Sequence, residues 1–317
     1  MYNKIVAFHT PQICFRGTSN CIYNYAHYNE VLLNNKSIIV MPENGLHQTD
    51  KIAYKKFTDR FDIKLYDNND KLIDILKDCN ICYMIKYGKK DNLELPKNIK
   101  TVIHCVFDMS EPHGDVYAAV SEQIAHKFNS KLFVPHIVEL KTLNTDNLNM
   151  RKELNIPDDA IVFGRYGGKD TFNLDIAYNA ISNVVNTTPN IYFLLINTPK
   201  FYNHKNIIYL NTIYEDDDKI KFINTCDAGL ECGTLGHTFG LAVGEFNILK
   251  KPVICYNNNL WNNCHIQTLK EQGIYFKNEE ELYKILISFK PYLIENPNYG
   301  KYTPEYVMNI FNNIFIK

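Results

Sequence analysis

The sequence predicts an α/β protein built from two doubly wound domains. Three observations carry that expectation. The chain has 317 residues, about twice a typical domain of roughly 150. Short apolar runs alternate with amphipathic helical patterns from one end to the other, the pattern of a parallel sheet covered on both faces. The alternation halts at the polar stretch KTLNTDNLNM (141–150), read as the linker, and then starts again.

In the first half, KIVAFH (4–9) is a strand followed by the loop TPQICFRGTSN. The helix CIYNYAHYNEVLL comes next, with Ser19 or Asn20 as its N-cap. Further strands are predicted at 36–42, 61–67, 81–88, 101–107 and 115–121, with helices between several of them, including 71–79. KLFVPHIVEL (131–140) then leads into the linker. A strand at 160–165 opens the second half. The helix over 172–186 carries Leu174, Ala177, Tyr178, Ile181, Val184 and Val185 on one stripe. Strands follow at 191–196, 206–210, 227–231, 252–256 and 273–276, with helices near 216–225, 239–249 and 279–289. TPEYVMNIFNNIF (303–315) is one more amphipathic helix. In open sheets of this kind ligands bind at the carboxyl ends of the strands.

Composition narrows the function. With 34 basic and 35 acidic residues the formal net charge is −1, which argues against a dedicated nucleic-acid binder. Apolar runs such as IYFLLI (191–196) fall far short of the roughly 20 residues that span a bilayer. The start MYNKIVAFHT has no secretory character. The nine scattered cysteines, an odd number, read as reduced thiols in a cytoplasmic compartment. Asn, Ile, Lys, Tyr and Phe, residues with AT-rich codons, are abundant but dispersed.

Several motifs fail on inspection. GRYGGKD (164–170) is one residue short of a P-loop and has Asp170 where Ser or Thr belongs. No G-x-G-x-x-G follows a strand, so a dinucleotide dehydrogenase loses its main support. Cys79 and Cys82 form a lone CxxC without a second pair to complete a zinc site. Asp216, Asp217 and Asp218 fit the N-terminus of a helix, where carboxylates complement the dipole. HExxH and GxSxG are both missing.

The densest chemistry lies in GTLGHTFGLAVGEFNILKKPVICYNN (233–258), directly after the short strand DAGLE. Gly233, Gly236 and Gly240 let backbone approach a ligand closely. Thr238 is a plausible N-cap for the helix over 239–249, whose free amides suit a phosphate. Glu245 lies two turns along from Thr238 on a largely apolar helix and is suited to accept hydrogen bonds from sugar hydroxyls. Its alternative is a solvent-facing helix glutamate.

This segment resembles the donor-binding motif of retaining family 4-type glycosyltransferases (the glycosyl transferases group 1-like enzymes) of GT-B architecture. That family has Glu, then Gly-Phe-Gly-Leu, three variable residues, a second Glu and a Pro-Val-Ile strand. HTFGLAVGE and KPVI match at Phe239, Gly240, Leu241, Glu245, Pro252, Val253 and Ile254, with His237 in place of the first Glu and Thr238 in place of the following Gly. AIVFGRYGGKD resembles the family's Gly-Arg…Lys segment and places Arg165 and Lys169 at the donor diphosphate. By the same resemblance Thr212 and Ile213 sit against the base, Gly17 in FRGTSN approaches phosphates, and Ser121 in AVSEQIAHKF stands at a helix start. TVIHCVF puts His104 where the family contacts the transferred sugar. The alternative is a hydrogen-bonded core histidine, and His113 and His9 are rivals for the role.

The resemblance implies an acceptor-side domain over 1–143, a nucleotide-sugar domain over 144–300, and a terminal helix over 301–317 crossing back onto the first, with the ligand in an interdomain cleft. It implies transfer of a sugar from a nucleoside diphosphate sugar to a hydroxyl of a glycan, lipid or protein-linked acceptor. Configuration would be retained, with the departing phosphate oxygen as proton acceptor and with neither cofactor nor metal. Arg165, Lys169 and helix-start amides would stabilise the leaving diphosphate, and His237 would face the sugar. The rivals are a GT-B nucleotide-sugar epimerase and a nucleotide-sugar or glycan binder without turnover.

Overall fold

The computed structural model describes residues 2–141, 148–258 and 260–317, so most of the expected linker, 142–147, lies outside the described residues. The chain forms two compact units: Met1–Ile137 with Tyr302–Lys317, and Val138–Lys301.

The first unit runs β1 (Ile5–His9), α1 (Gly17–Val31), β2 (Lys36–Pro42), α2 (Lys51–Thr58), β3 (Asp62–Tyr66), α3 (Asn69–Leu76), β4 (Ile81–Lys86), β5 (Lys100–Cys105), β6 (Val116–Ala119) and α4 (Glu122–Lys127). The second runs β7 (Ile161–Arg165), α5 (Asp175–Thr187), β8 (Ile191–Ile196), β9 (Ile207–Leu210), α6 (Asp216–Thr225), β10 (Ala228–Glu231), β11 (Gly236–His237), α7 (Leu241–Ile248), β12 (Val253–Tyr256), β13 (Asn262–Asn263), α8 (Cys264–Leu269), β14 (Gly273–Phe276) and α9 (Glu279–Ser288). The last helix, α10 (Pro304–Phe311), belongs to the first unit.

Each unit has one six-stranded sheet, ordered β3-β2-β1-β4-β5-β6 and β14-β12-β10-β7-β8-β9, and every pairing within them is parallel. Both orders are the doubly wound 3-2-1-4-5-6, in which the first strand sits mid-sheet and the chain reverses direction beside it. Those switch points lie between β1 and β4 and between β7 and β10. Strands such as IYFLLI in β8 are buried on both faces, and this is why they read as continuous apolar runs. β11 and β13 form a separate two-residue parallel pair, with Gly236 opposite Asn262 and His237 opposite Asn263.

Short polar side chains start many of the helices. Asp50 accepts from the amides of Ile52 and Ala53, Asn68 from Lys71, Ser121 from Ile124, Asn278 from Glu281 and Thr303 from Tyr306. Two expected caps are corrected. α1 starts after Arg16, with no side-chain cap; Ser19 Oγ accepts from the Cys14 amide instead, at 3.1 Å. α7 starts after Gly240, not Thr238, because Gly240 is left-handed (φ 89°, ψ 61°). A Cβ at Gly240 would stand 2.9 Å from the His265 Cβ, so both conformation and space call for glycine. The expected terminal helix is regular only to Phe311 and widens into a π turn over Asn312–Ile316.

The second core packs Phe163, Phe193, Ala177, Ile181, Val184, Leu282 and Leu286 between the sheet, α5 and α9. In the first core α10 and its π turn insert two aromatic rings. Phe311 stacks on Tyr25 at 5.1 Å, and Phe315 meets His104 edge-on at 5.1 Å. All nine cysteines are free, and Cys14 alone is half-buried while the rest are buried. Among the described residues no helix is long and apolar enough to cross a membrane.

Candidate active site

In the second unit Arg165 and Lys169 lie at and after the carboxyl end of β7, the segment from His237 to Glu245 follows β10 beside it at the switch point, and Thr212 and Ile213 follow the edge strand β9. Arg165 ends β7 and Glu231 ends β10. Five residues past Glu231 the chain turns through β11, passes His237, and enters α7 at Leu241.

Glu245 lies on α7 and holds two partners. The hydroxyl of Tyr166, the residue after Arg165, donates to Oε2. Lys219 on α6 reaches Oε1 at 3.3 Å and Asp216 at the same distance. Lys219 is largely buried. Burial opposes its charge, but the carboxylates of Glu245 and Asp216 outweigh burial and raise its pKa above the ordinary value. The Tyr166 hydroxyl is pushed well up by burial and by Glu245, so it stays a donor. Glu245 is therefore a fixed carboxylate, not a loose solvent-facing one.

Thr212 and Ile213 are half-buried in the loop between β9 and α6. The Thr212 hydroxyl donates to the side chain of Asn197, which ties this loop to the end of β8. Thr238 and Phe239 are buried, and Phe239 packs edge-on against Tyr299 while its carbonyl accepts from the Tyr299 hydroxyl.

Arg165 takes a different place from the expected phosphate clamp. It is 1% exposed. Nη1 donates to the carbonyls of Ile196 and Asn197 and to Thr198 Oγ1; Nη2 donates to the Gly168 carbonyl and Thr171 Oγ1. The fork thus fastens the loop after β7 to the end of β8. Lys169, on that fastened loop, is exposed. The correction has a plain cause: carbonyls aimed inward from two strand ends need a buried donor.

Half-buried His237 and buried Glu231 form an ion pair, with Nε2 2.8 Å from Oε2. The ring of His265 stands edge-on to His237 at 5.0 Å. Burial lowers the His265 pKa to about 3, with the His237 charge beside it acting in the same direction.

His104 and Gly17 lie in the first unit. His104 is fully buried. Its Nδ1 pairs with the Tyr83 hydroxyl at 2.7 Å, and Nε2 lies 2.9 Å from the Val134 carbonyl and 3.2 Å from that of Ala119. Burial lowers its pKa to about 4. It is a core histidine and not a ligand-facing one, because β5 is flanked on both sides and its alternate residues point into packed layers. His9 ends β1 at the switch point and pairs with the Tyr66 hydroxyl at 2.7 Å. His113 pairs with the Glu111 carbonyl in a loop. Gly17 is exposed at the first turn of α1. Among the described residues no group of three or more His, Cys, Asp or Glu is placed to hold a metal ion.

Sequence reasoning missed Tyr166, Lys219, Glu231 and His265. Glu231 carried the one usable signal, a lone carboxylate closing an otherwise apolar buried strand, AGLE. The others are recruited across the fold, such as Tyr166 from 79 residues before Glu245.

Two parallel doubly wound sheets of this order in one chain define the GT-B fold. No protein-family model and no curated protein matches the chain in sequence. Solved structures do match in shape. HepE of Anabaena in complex with UDP-glucose has a TM-score of 0.68 at 12% identity, over 99% of this chain and 96% of that one. A glycosyltransferase from Rickettsia africae has 0.65 at 14% identity, over 99% and 95%. A putative UDP-N-acetylglucosamine 2-epimerase from Listeria monocytogenes has 0.59 at 11% identity, over 100% and 98%.

Proposed function

We propose that the chain is a retaining glycosyltransferase that takes its sugar from a nucleoside diphosphate sugar and delivers it to a hydroxyl acceptor. The observation that carries this reading is the fixed Glu245 carboxylate at the switch point, beside the Lys169 loop and the left-handed Gly240 entry to α7. A carboxylate held by two donors keeps lone pairs for the two ribose hydroxyls. The loop around Thr212 and Ile213 lies on the path to the base. Lys169 and backbone amides leading into α7 meet the diphosphate, and no metal is needed because these groups carry the stabilisation of the leaving group. Arg165 serves by holding the Lys169 loop. The UDP-glucose bound by HepE supports a UDP-sugar as donor.

Calorimetric titration with UDP tests this reading. Glu245→Gln removes the charge and keeps the shape. Hydrogen bonds to charged groups contribute about 1.5–3 kcal/mol, so UDP affinity is expected to fall roughly tenfold or more. Unchanged affinity in the variant refutes the ribose role. Turnover is expected to survive chelator, and its loss in EDTA with rescue by manganese would contradict the metal-free reading.

The likeness to an epimerase favours a second reading, in which the same site acts on the donor alone. Incubation with UDP-sugars in the absence of acceptor separates the two: a change in the sugar's configuration identifies an epimerase, and its absence supports the transferase.

A further inference from the structure

The ion pair of Glu231 and His237 is not explained by packing alone. Glu231 is 7% exposed at the end of a strand, where an unpaired carboxylate is costly. Burial would push its pKa up, but His237 beside it holds it below the ordinary range. Burial likewise opposes charge on His237, and Glu231 outweighs burial, keeping its pKa above 6.5. Nε2 of His237 is buried and turned to Glu231, in the alignment of an ion pair and not of a linear hydrogen bond. Nδ1 has no hydrogen-bond partner among the described residues, and the side chain keeps 23% of its surface exposed.

The groups facing His237 come from three elements: Glu231 on β10, Arg165 on β7 and His265 on α8. His265 is neutral, and neither of its ring nitrogens makes a hydrogen bond of normal geometry. With His237 protonated, two cations, His237 and Arg165, stand against one carboxylate, a surplus of one positive charge at the switch point. An anion completes that balance.

We propose that Glu231 is a positioning residue: it keeps the proton on His237, so that Nδ1 offers an N–H donor to an oxyanion of the bound nucleoside diphosphate. The proposal rests on the glycosyltransferase reading for its ligand. The imidazolium form exists below its raised pKa and is lost as pH rises through it, so the contact strengthens toward lower pH. A charge-assisted bond of this kind is about twice as strong as a neutral one.

Two measurements on the full chain test the proposal. Histidine-ring NMR, assigned with His237→Asn, follows the titration of His237 without ligand. Its pKa is expected above 6.5 and should fall by about one unit or more in Glu231→Gln, with Glu231→Asp restoring part of the shift. Calorimetry then measures UDP affinity between pH 6 and 9. The wild type should lose about tenfold more affinity over that range than His237→Asn, a comparison that subtracts the ionisation of UDP itself. Glu231→Gln that leaves the His237 titration in place overturns the proposal. So does an equal pH response in His237→Asn, which stays informative if Glu231→Gln does not fold. Failure of the wild type to bind UDP at any pH refutes the glycosyltransferase reading instead, while the ligand-free titration still judges the ion pair.

Discussion

Removing the last helix is expected to unfold the first unit. A chain ending at Thr303 loses Val307, Phe311 and Phe315, each 0% exposed, with Met308 at 1% and Ile316 at 5%. Burying one large apolar side chain contributes about 1.5–3 kcal/mol. Five of them sum to roughly 8–15 kcal/mol, an upper figure on the scale of a whole domain's stability. Phe315→Ala alone should cost about 3–5 kcal/mol. Circular dichroism and urea unfolding of the truncated chain should show one cooperative transition lost, while the contiguous second unit keeps its own. A truncated chain with both transitions intact would mean that the aromatic insertion is dispensable.

Arg165→Ala is expected to destabilise the second unit by about 3–5 kcal/mol, well above the usual effect of a point change. The substitution leaves the Asn197 carbonyl without its donor, at about 1–3 kcal/mol. It takes one donor each from the Ile196 and Gly168 carbonyls, which keep the Thr198 and Thr171 hydroxyls, and opens a void beside Phe172, a truncation that by itself costs about 2–5 kcal/mol. Arg165→Lys should recover only part, because a point charge does not fork to two strand ends. Urea midpoints measure both variants. A loss below about 1 kcal/mol would show that water replaces the guanidinium, as at an ordinary surface arginine.

The strands were legible because parallel strands buried on both faces must be apolar along their whole length. IYFLLI and GIYF are read at the bounds the fold gives them. The restart after 141–150 likewise foretold two sheets. What sequence does not carry is the destination of a side chain once strands are laid together. Arg165 looks the same whether its fork meets phosphate or the carbonyls of Ile196 and Asn197. His104 looks the same facing a ligand or Tyr83. The α7 cap misled for a local reason: Thr238 is the better cap by side chain, but the left-handed Gly240 stands closer to the first turn. β11 and β13 are two residues each and too short for any periodicity to reveal.

The distribution of thiols gives the molecule a built-in clock for its own opening. Cys21, Cys79, Cys82 and Cys105 are buried in the first unit, and Cys226, Cys232, Cys255 and Cys264 in the second. Burial drives Cys79, Cys82, Cys105, Cys226, Cys232 and Cys255 toward the unreactive protonated form, to about 12 for Cys82 and Cys105. An alkylating reagent therefore meets Cys14 first, and each further modification records a local or global excursion that brings a thiol to solvent. Because the buried set divides evenly, mass spectrometry of labelled peptides times the two units separately in a single sample. Each unit reports how often it breathes without a mutation or an added probe.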